Sequence, residues 1–230
     1  RAHKFLNFNN KTRPHRVILL SILNNLNLID TNLVSFDVRN EFKSEISRVN
    51  RILKESNTID KLGDSWTSIT SDKLKVRSVD IEHVGMARGH GWDRKEIYLD
   101  SYINITSETL FFEDCWYISE KIFKPLANLQ PFINVGSPNT LTELKKLGFL
   151  TFSDYWDESY DTELDPIKRM QKIEKIITKL ANMSMDDLHE LYEHALPICI
   201  HNQNKLLEYS NEEQIDQSFI NFLSKIYPIN

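Results

Sequence analysis

The run Ser119-Glu-Lys-Ile-Phe-Lys-Pro-Leu-Ala-Asn-Leu-Gln-Pro-Phe-Ile-Asn-Val-Gly-Ser-Pro138 constrains the fold more than any other stretch. Ser119 is placed to cap a helix whose first turn carries Glu120, Lys121 and Lys124. Pro131 interrupts, and the apolar run Phe132 to Val135 suits a short, buried parallel strand. Gly136-Ser137-Pro138 then reads as a tight turn, an N-cap and a proline at the first helical position. Strand and helix therefore alternate, with charge gathered at one edge. Unpaired N–H groups, a positive helix dipole and neighbouring lysines together make an anion site, most naturally for a phosphate-bearing ligand.

The rest of the chain carries the same alternation. Lys4 to Phe8 is a candidate strand, and Pro14 opens a helix to about Leu26 with Val17, Leu20, Ile22 and Leu23 on its apolar side. Leu33 to Phe36 reads as a second strand, and 41–55 as an amphipathic helix using Phe42, Ile46, Val49 and Leu53. Residues 58–71 look irregular, 76–83 a strand, and the glycine-rich 85–92 a loop; 97–106 is a stronger strand. Leu141, Leu144 and Leu147 mark a helix face closed by Gly148, and Phe149 to Phe152 is expected to be another strand. Asp165-Pro166 starts a helix, Ser184 caps the next toward Pro197, and the tail from Asn204 to Ile226 is mostly helical. The expected fold is α/β: a Rossmann-like parallel sheet flanked by helices, one domain over 1–230 with a helical part from 165 to 230.

Totals narrow the partners. A chain of 230 residues with 40% hydrophobic and 27% charged content fits a globular domain. A net charge of −5 argues against broad nucleic-acid binding. The two cysteines, Cys115 and Cys199, cannot form a disulfide framework and fit reduced thiols in the cytoplasm. No apolar run approaches the roughly 20 residues that span a bilayer. Because the sequence opens on Arg1 rather than Met, it is expected to be a fragment of a longer protein.

Three groups of residues carry candidate chemistry. In the first, Glu120 can accept from ribose hydroxyls while Lys121 or Lys124 neutralises diphosphate oxygens; the plain alternative is a solvated Glu120–Lys124 surface pair. In the second, Arg13 and Arg16 flank the helix-opening proline and lean toward phosphate contact, whereas His15 is expected to be an exposed basic residue. Third, Glu108 ends an apolar strand, where it is either solvated or turned toward base or donor sugar, with Ser107 and Tyr117 nearby. His83 or His90 is the candidate acceptor-side base. Asp80, Glu82 and Asp93 lie near those histidines, but the spacing is too loose for metal ligation, and no metal or other cofactor is expected. The run 154–161 mixes carboxylates with aromatics, as sugar-stacking loops do, although packing against the sheet edge explains it better.

Tyr102-Ile-Asn-Ile-Thr-Ser-Glu108 followed by Tyr117-Ile-Ser-Glu120-Lys121-Ile-Phe resembles the donor-binding half of the fucosyltransferase family (family 10). Lys4-Phe-Leu-Asn-Phe and Arg13-Pro-His-Arg16 look like the strand and arginine corner that open that domain. Residues 3–165 also resemble glycosyltransferase-like proteins of large algal viruses and marine phages. The resemblance implies a GT-B-type, metal-independent transferase that moves a sugar, such as fucose or rhamnose, from a GDP- or UDP-linked donor to a glycan hydroxyl. It implies Arg13 and Arg16 as diphosphate contacts, Glu120 on the ribose, Lys121 on the phosphate, and Glu108 facing base or sugar. Ser119 stands where that family usually has threonine, and Phe123-Lys124-Pro125 departs from its helix. An upstream acceptor domain in the same polypeptide would complete such an enzyme, in the cytoplasm of a host if the protein is viral. A nucleotide- or carbohydrate-binding module without turnover is the alternative.

Overall fold

The computed structural model describes residues 1–9, 11–36, 42–55, 57–62 and 95–211. Four strands, β1 (His3–Asn9), β2 (Leu33–Phe36), β3 (Ser101–Ser107) and β4 (Phe132–Val135), form one sheet in the order β2-β1-β3-β4. Every pairing is parallel, with Leu6 beside Leu33, Phe5 beside Ile103 and Ile105 beside Ile133. All side chains of β3 and β4 are buried; β4 reads as a nearly continuous apolar run, whereas β3 also buries Asn104, which donates to Gln130, and Thr106, which donates to Asn104. The described part of the chain is thus α/β with a helix-flanked parallel sheet, consistent with a Rossmann-like fold.

Helix α1 (Pro14–Asn25) connects β1 to β2, and α5 (Glu120–Ala127) connects β3 to β4. The chain leaves β1 in one direction along the sheet and β3 in the other, so right-handed crossovers put the two helices on opposite faces. His15 through Leu23 are all buried, which makes α1 an enclosed helix and not the one-sided helix its pattern suggested. α2 (Phe42–Glu55) and α7 (Pro166–Ala181) pack against it, and α3 (Thr58–Leu62) packs against both of those. α7 buries Ile167, Met170, Ile173, Ile176, Ile177 and Leu180, as its spacing predicts, and Asp165 caps it by accepting from Ile167 N and Lys168 N. The Lys4 ammonium closes its other end on the carbonyls of Ala181 (2.7 Å) and Met183 (2.5 Å).

Several boundaries differ from expectation. The 97–106 strand begins only at Ser101, because Lys95–Leu99 forms a short helix, α4, whose last turn packs Ile97 and Tyr98 beside Leu6. Thr58–Leu62 is helical where a loop was expected. Helix α6 (Thr140–Lys146) starts two residues beyond Pro138, with Asn139 left-handed at its cap. Asp161 does the capping from a distance, accepting from Leu141 N (2.7 Å) and Thr142 N (2.9 Å). Among the described residues the Phe149 to Phe152 segment pairs with no strand. Its polar groups go to side chains instead: Asn202 accepts from Leu150 N (2.7 Å) and donates to Leu150 O (2.9 Å), and Glu158 accepts from Phe152 N (2.8 Å). Pro197 does not end α8, which runs from Met185 to Asn211. Trp156 and Tyr160 are core residues, so the 154–161 run packs inward rather than offering stacking surfaces. The expected 76–83 strand, the 85–92 loop, His83, His90 and the tail beyond 211 lie outside the described residues. Among the described residues no helix is long and apolar enough to cross a membrane.

Candidate functional site

The carboxyl ends of β1 and β3 are neighbours, and connections diverge from them in opposite directions. Such a switch point leaves a crevice outside the sheet, flanked by the amino ends of the two crossover helices. Here those ends are Arg13–Pro14 of α1 and Ser119–Glu120 of α5. The two cationic corners, distant in sequence, therefore lie at one edge of the sheet.

Glu108 joins them. It follows β3 directly and is 0% exposed. Its carbonyl accepts from Arg16 Nη2 and from His15 Nε2, both at 3.0 Å, so its main chain is fixed to α1. Its carboxylate points the other way and accepts from Ser119 Oγ (2.5 Å) and Ser119 N (3.3 Å), at the cap of α5. The Ser119 hydroxyl accepts in turn from Lys121 N and Lys121 Nζ, both at 3.3 Å. One donor proton and two lone pairs are thereby all used. Lys121 Nζ also meets Glu120 Oε1 at 2.7 Å, on a half-exposed pair at the mouth of the crevice.

The ionisation of the group follows from burial. Glu108 is pushed above the usual carboxylate range by desolvation, opposed by its Ser119 bond and by Lys121. Arg16 falls to about 10, mainly by burial and secondarily through Arg13. His15 falls to about 3 for the same first reason, with Arg16 adding to it. His15 is consequently neutral and donates through Nε2; its ring stacks on Phe111 at 5.3 Å. For Glu120, burial pushes the carboxyl up, but its Lys121 bond and charge outweigh that and hold it below the usual range.

Several residues sit differently from expectation. His15 is a buried neutral ring, not an exposed base, because Phe111 and the Glu108 carbonyl enclose it. Arg16 is buried too, and its guanidinium serves three carbonyls: Lys11 (3.1 Å), Ser107 (3.0 Å) and Glu108. The half-exposed cations of the two corners are thus Arg13, Lys121 and Lys124. Glu108 is neither solvated nor open to a ligand in this conformation. Glu120 pairs with Lys121 at 2.7 Å, and the charge of Lys124, a turn further into α5, also acts on it. Tyr117 is half-buried beside Thr140.

Two positioning features were not legible beforehand. Gly136 allows β4 to pass Glu108 closely: a Cβ there would lie 2.8 Å from Asn134 Nδ2 and 3.3 Å from Glu108 Cβ. Arg169, almost fully buried, lies over the Phe111 ring at 4.5 Å, donates to the Phe111 carbonyl and reaches Glu163 O (2.5 Å). It pins the start of the β3–α5 loop against α7. A glycine after a strand and an arginine inside an apolar helix stripe were the available signals, but neither names its partner. Among the described residues no cluster of three or more His, Cys, Asp or Glu could hold a metal ion.

No protein-family model, curated protein or solved structure matches the chain.

Proposed function

We propose that the protein is a glycosyltransferase of GT-B type that holds a nucleotide-sugar donor, GDP- or UDP-linked, in the crevice above β1 and β3 and passes the sugar to a glycan hydroxyl. One observation carries the reading: the Arg13 and Lys121 corners lie at the same sheet edge, each at a helix amino terminus, with Glu108 bonded to both. Transfer of a glycosyl group leaves a nucleoside diphosphate, and positive dipoles with fixed cations stabilise the charge that develops on it. In this reading Glu120 accepts from a ribose hydroxyl and Lys121 meets a phosphate oxygen. The fucosyltransferase-like sequence elements support the same assignment.

The acceptor proton needs a base. Both carboxylates of the cluster are already bonded, Glu108 to Ser119 and Glu120 to Lys121. That observation favours, as the second reading, a nucleotide-binding module without turnover. If turnover occurs, the base comes from outside this cluster, with His83 and His90 as candidates.

Thermal unfolding with GDP, UDP and their sugars tests the reading. A ligand bound only by the folded chain at 100 times its Kd stabilises by about 2.7 kcal/mol. A rise with one nucleotide family, lost in Lys121→Ala, is expected; no rise with any would sink the proposal. Donor hydrolysis or transfer then separates the enzyme from the module.

A further inference from the structure

We infer that Glu108 is a positioning residue: it sets the amino terminus of α5, and with it Lys121, against the α1 corner, and so governs diphosphate affinity without touching the ligand. The inference rests on the nucleotide-sugar reading for its ligand, but its structural half stands on contacts alone. Glu108 uses both ends of itself. Its main-chain carbonyl is fixed by Arg16 and His15 from α1, and its side chain is fixed by Ser119 from α5. It is the one described residue bonded to both corners. The neighbouring strand leaves it little freedom, because Gly136 packs against its Cβ.

The bond to Ser119 has a consequence beyond holding a loop. Ser119 Oγ donates to Glu108, which orients its lone pairs toward Lys121 N and Lys121 Nζ. A hydroxyl freed from that acceptor is able to rotate and release both. The Lys121 ammonium and the capped first turn of α5 would then lose their common reference. An anion site depends on its cations being aimed before the ligand arrives. Glu108 is therefore a buried residue whose loss should be felt in affinity for a diphosphate.

Hydrogen exchange and pyrophosphate titration of the full chain decide the matter. Without ligand, Glu108→Ala should speed exchange of the Ser119, Lys121 and Ile122 amides at least tenfold and leave α7 unchanged. Glu108→Gln, which retains an acceptor for Ser119, should restore protection. Pyrophosphate and GDP affinities should fall about tenfold in Glu108→Ala and recover largely in Glu108→Gln. Ser119→Ala breaks the same bond from the other end and serves if the Glu108 variant does not fold; Ser119→Thr should behave like wild type. Unchanged exchange in α5 would overturn the inference whatever binds. So would altered exchange with unaltered affinity. If wild type binds neither anion, the functional reading fails, while the exchange data still decide whether Glu108 sets α5.

Discussion

Arg16 illustrates how burial changes what a charged residue does. A guanidinium beside a helix-opening proline reads as a phosphate ligand, yet this one is spent on the Lys11, Ser107 and Glu108 carbonyls. Arg16→Ala would leave those acceptors unpaired in a dry site and should cost about 2–4 kcal/mol of stability, measured by urea unfolding at pH 7. A loss below 0.5 kcal/mol would show that the carbonyls find other donors. Lys121→Ala, at the half-exposed mouth, should instead cost about 1.5–3 kcal/mol of diphosphate binding and leave the urea midpoint nearly unchanged. His15 adds a pH dependence. Its pKa in the folded chain is about 3, below the unfolded value, so the unfolded chain takes the proton first as pH falls. Stability from His15 is present above pH 6.5 and is lost between there and 3. Glu108 has the opposite sign: its raised pKa lets the folded chain bind a proton first, giving stability at acid pH that fades as pH rises through that pKa. Comparing urea midpoints at pH 7 and 4, His15→Gln should remove an acid-induced loss on the order of 3 kcal/mol. An identical loss in the variant would place the acid sensitivity elsewhere.

Elements whose signals are local were legible in the sequence. β2 and β4 stand where their apolar runs put them, α5 begins after its Ser119 cap, and α7 begins at Asp165-Pro166. Elements decided by distant partners were not. Phe149 to Phe152 has a strand's composition, but Asn202, some fifty residues on, takes both pairing groups of Leu150. The start of α6 depends on Asp161, which follows the helix and cannot be inferred from its first turn. Asp161→Ala should destabilise by about 1–2 kcal/mol in thermal unfolding, as the loss of a helix cap does; a neutral result would mean that the Leu141 and Thr142 amides find other acceptors.

At the scale of the molecule, the parallel order β2-β1-β3-β4 does most to define the candidate site. It makes neighbours of residues near 13 and near 121 and opens both helices toward one edge. The family resemblance implied that the two corners meet over one diphosphate; their nearness in the fold follows from strand order, which depends on which strands share a buried face and not on any motif. Glu108 was legible as a residue of interest, but its bond to Ser119, eleven residues on, was not. If this crevice holds its diphosphate with N–H groups and cations, nucleotide affinity should be the same with 5 mM EDTA as with magnesium, measured by calorimetry. Strict dependence on the divalent ion would refute that arrangement.

Helix α8 reaches the chain after α6 at three successive points: Tyr209 donates to Leu147 O, His201 contacts Gly148 O, and Asn202 brackets Leu150. Together these contacts act as a ruler laid along 147–150. A single inserted residue there would shift every mark at once, so this stretch should be far less forgiving of length changes than an ordinary surface connection.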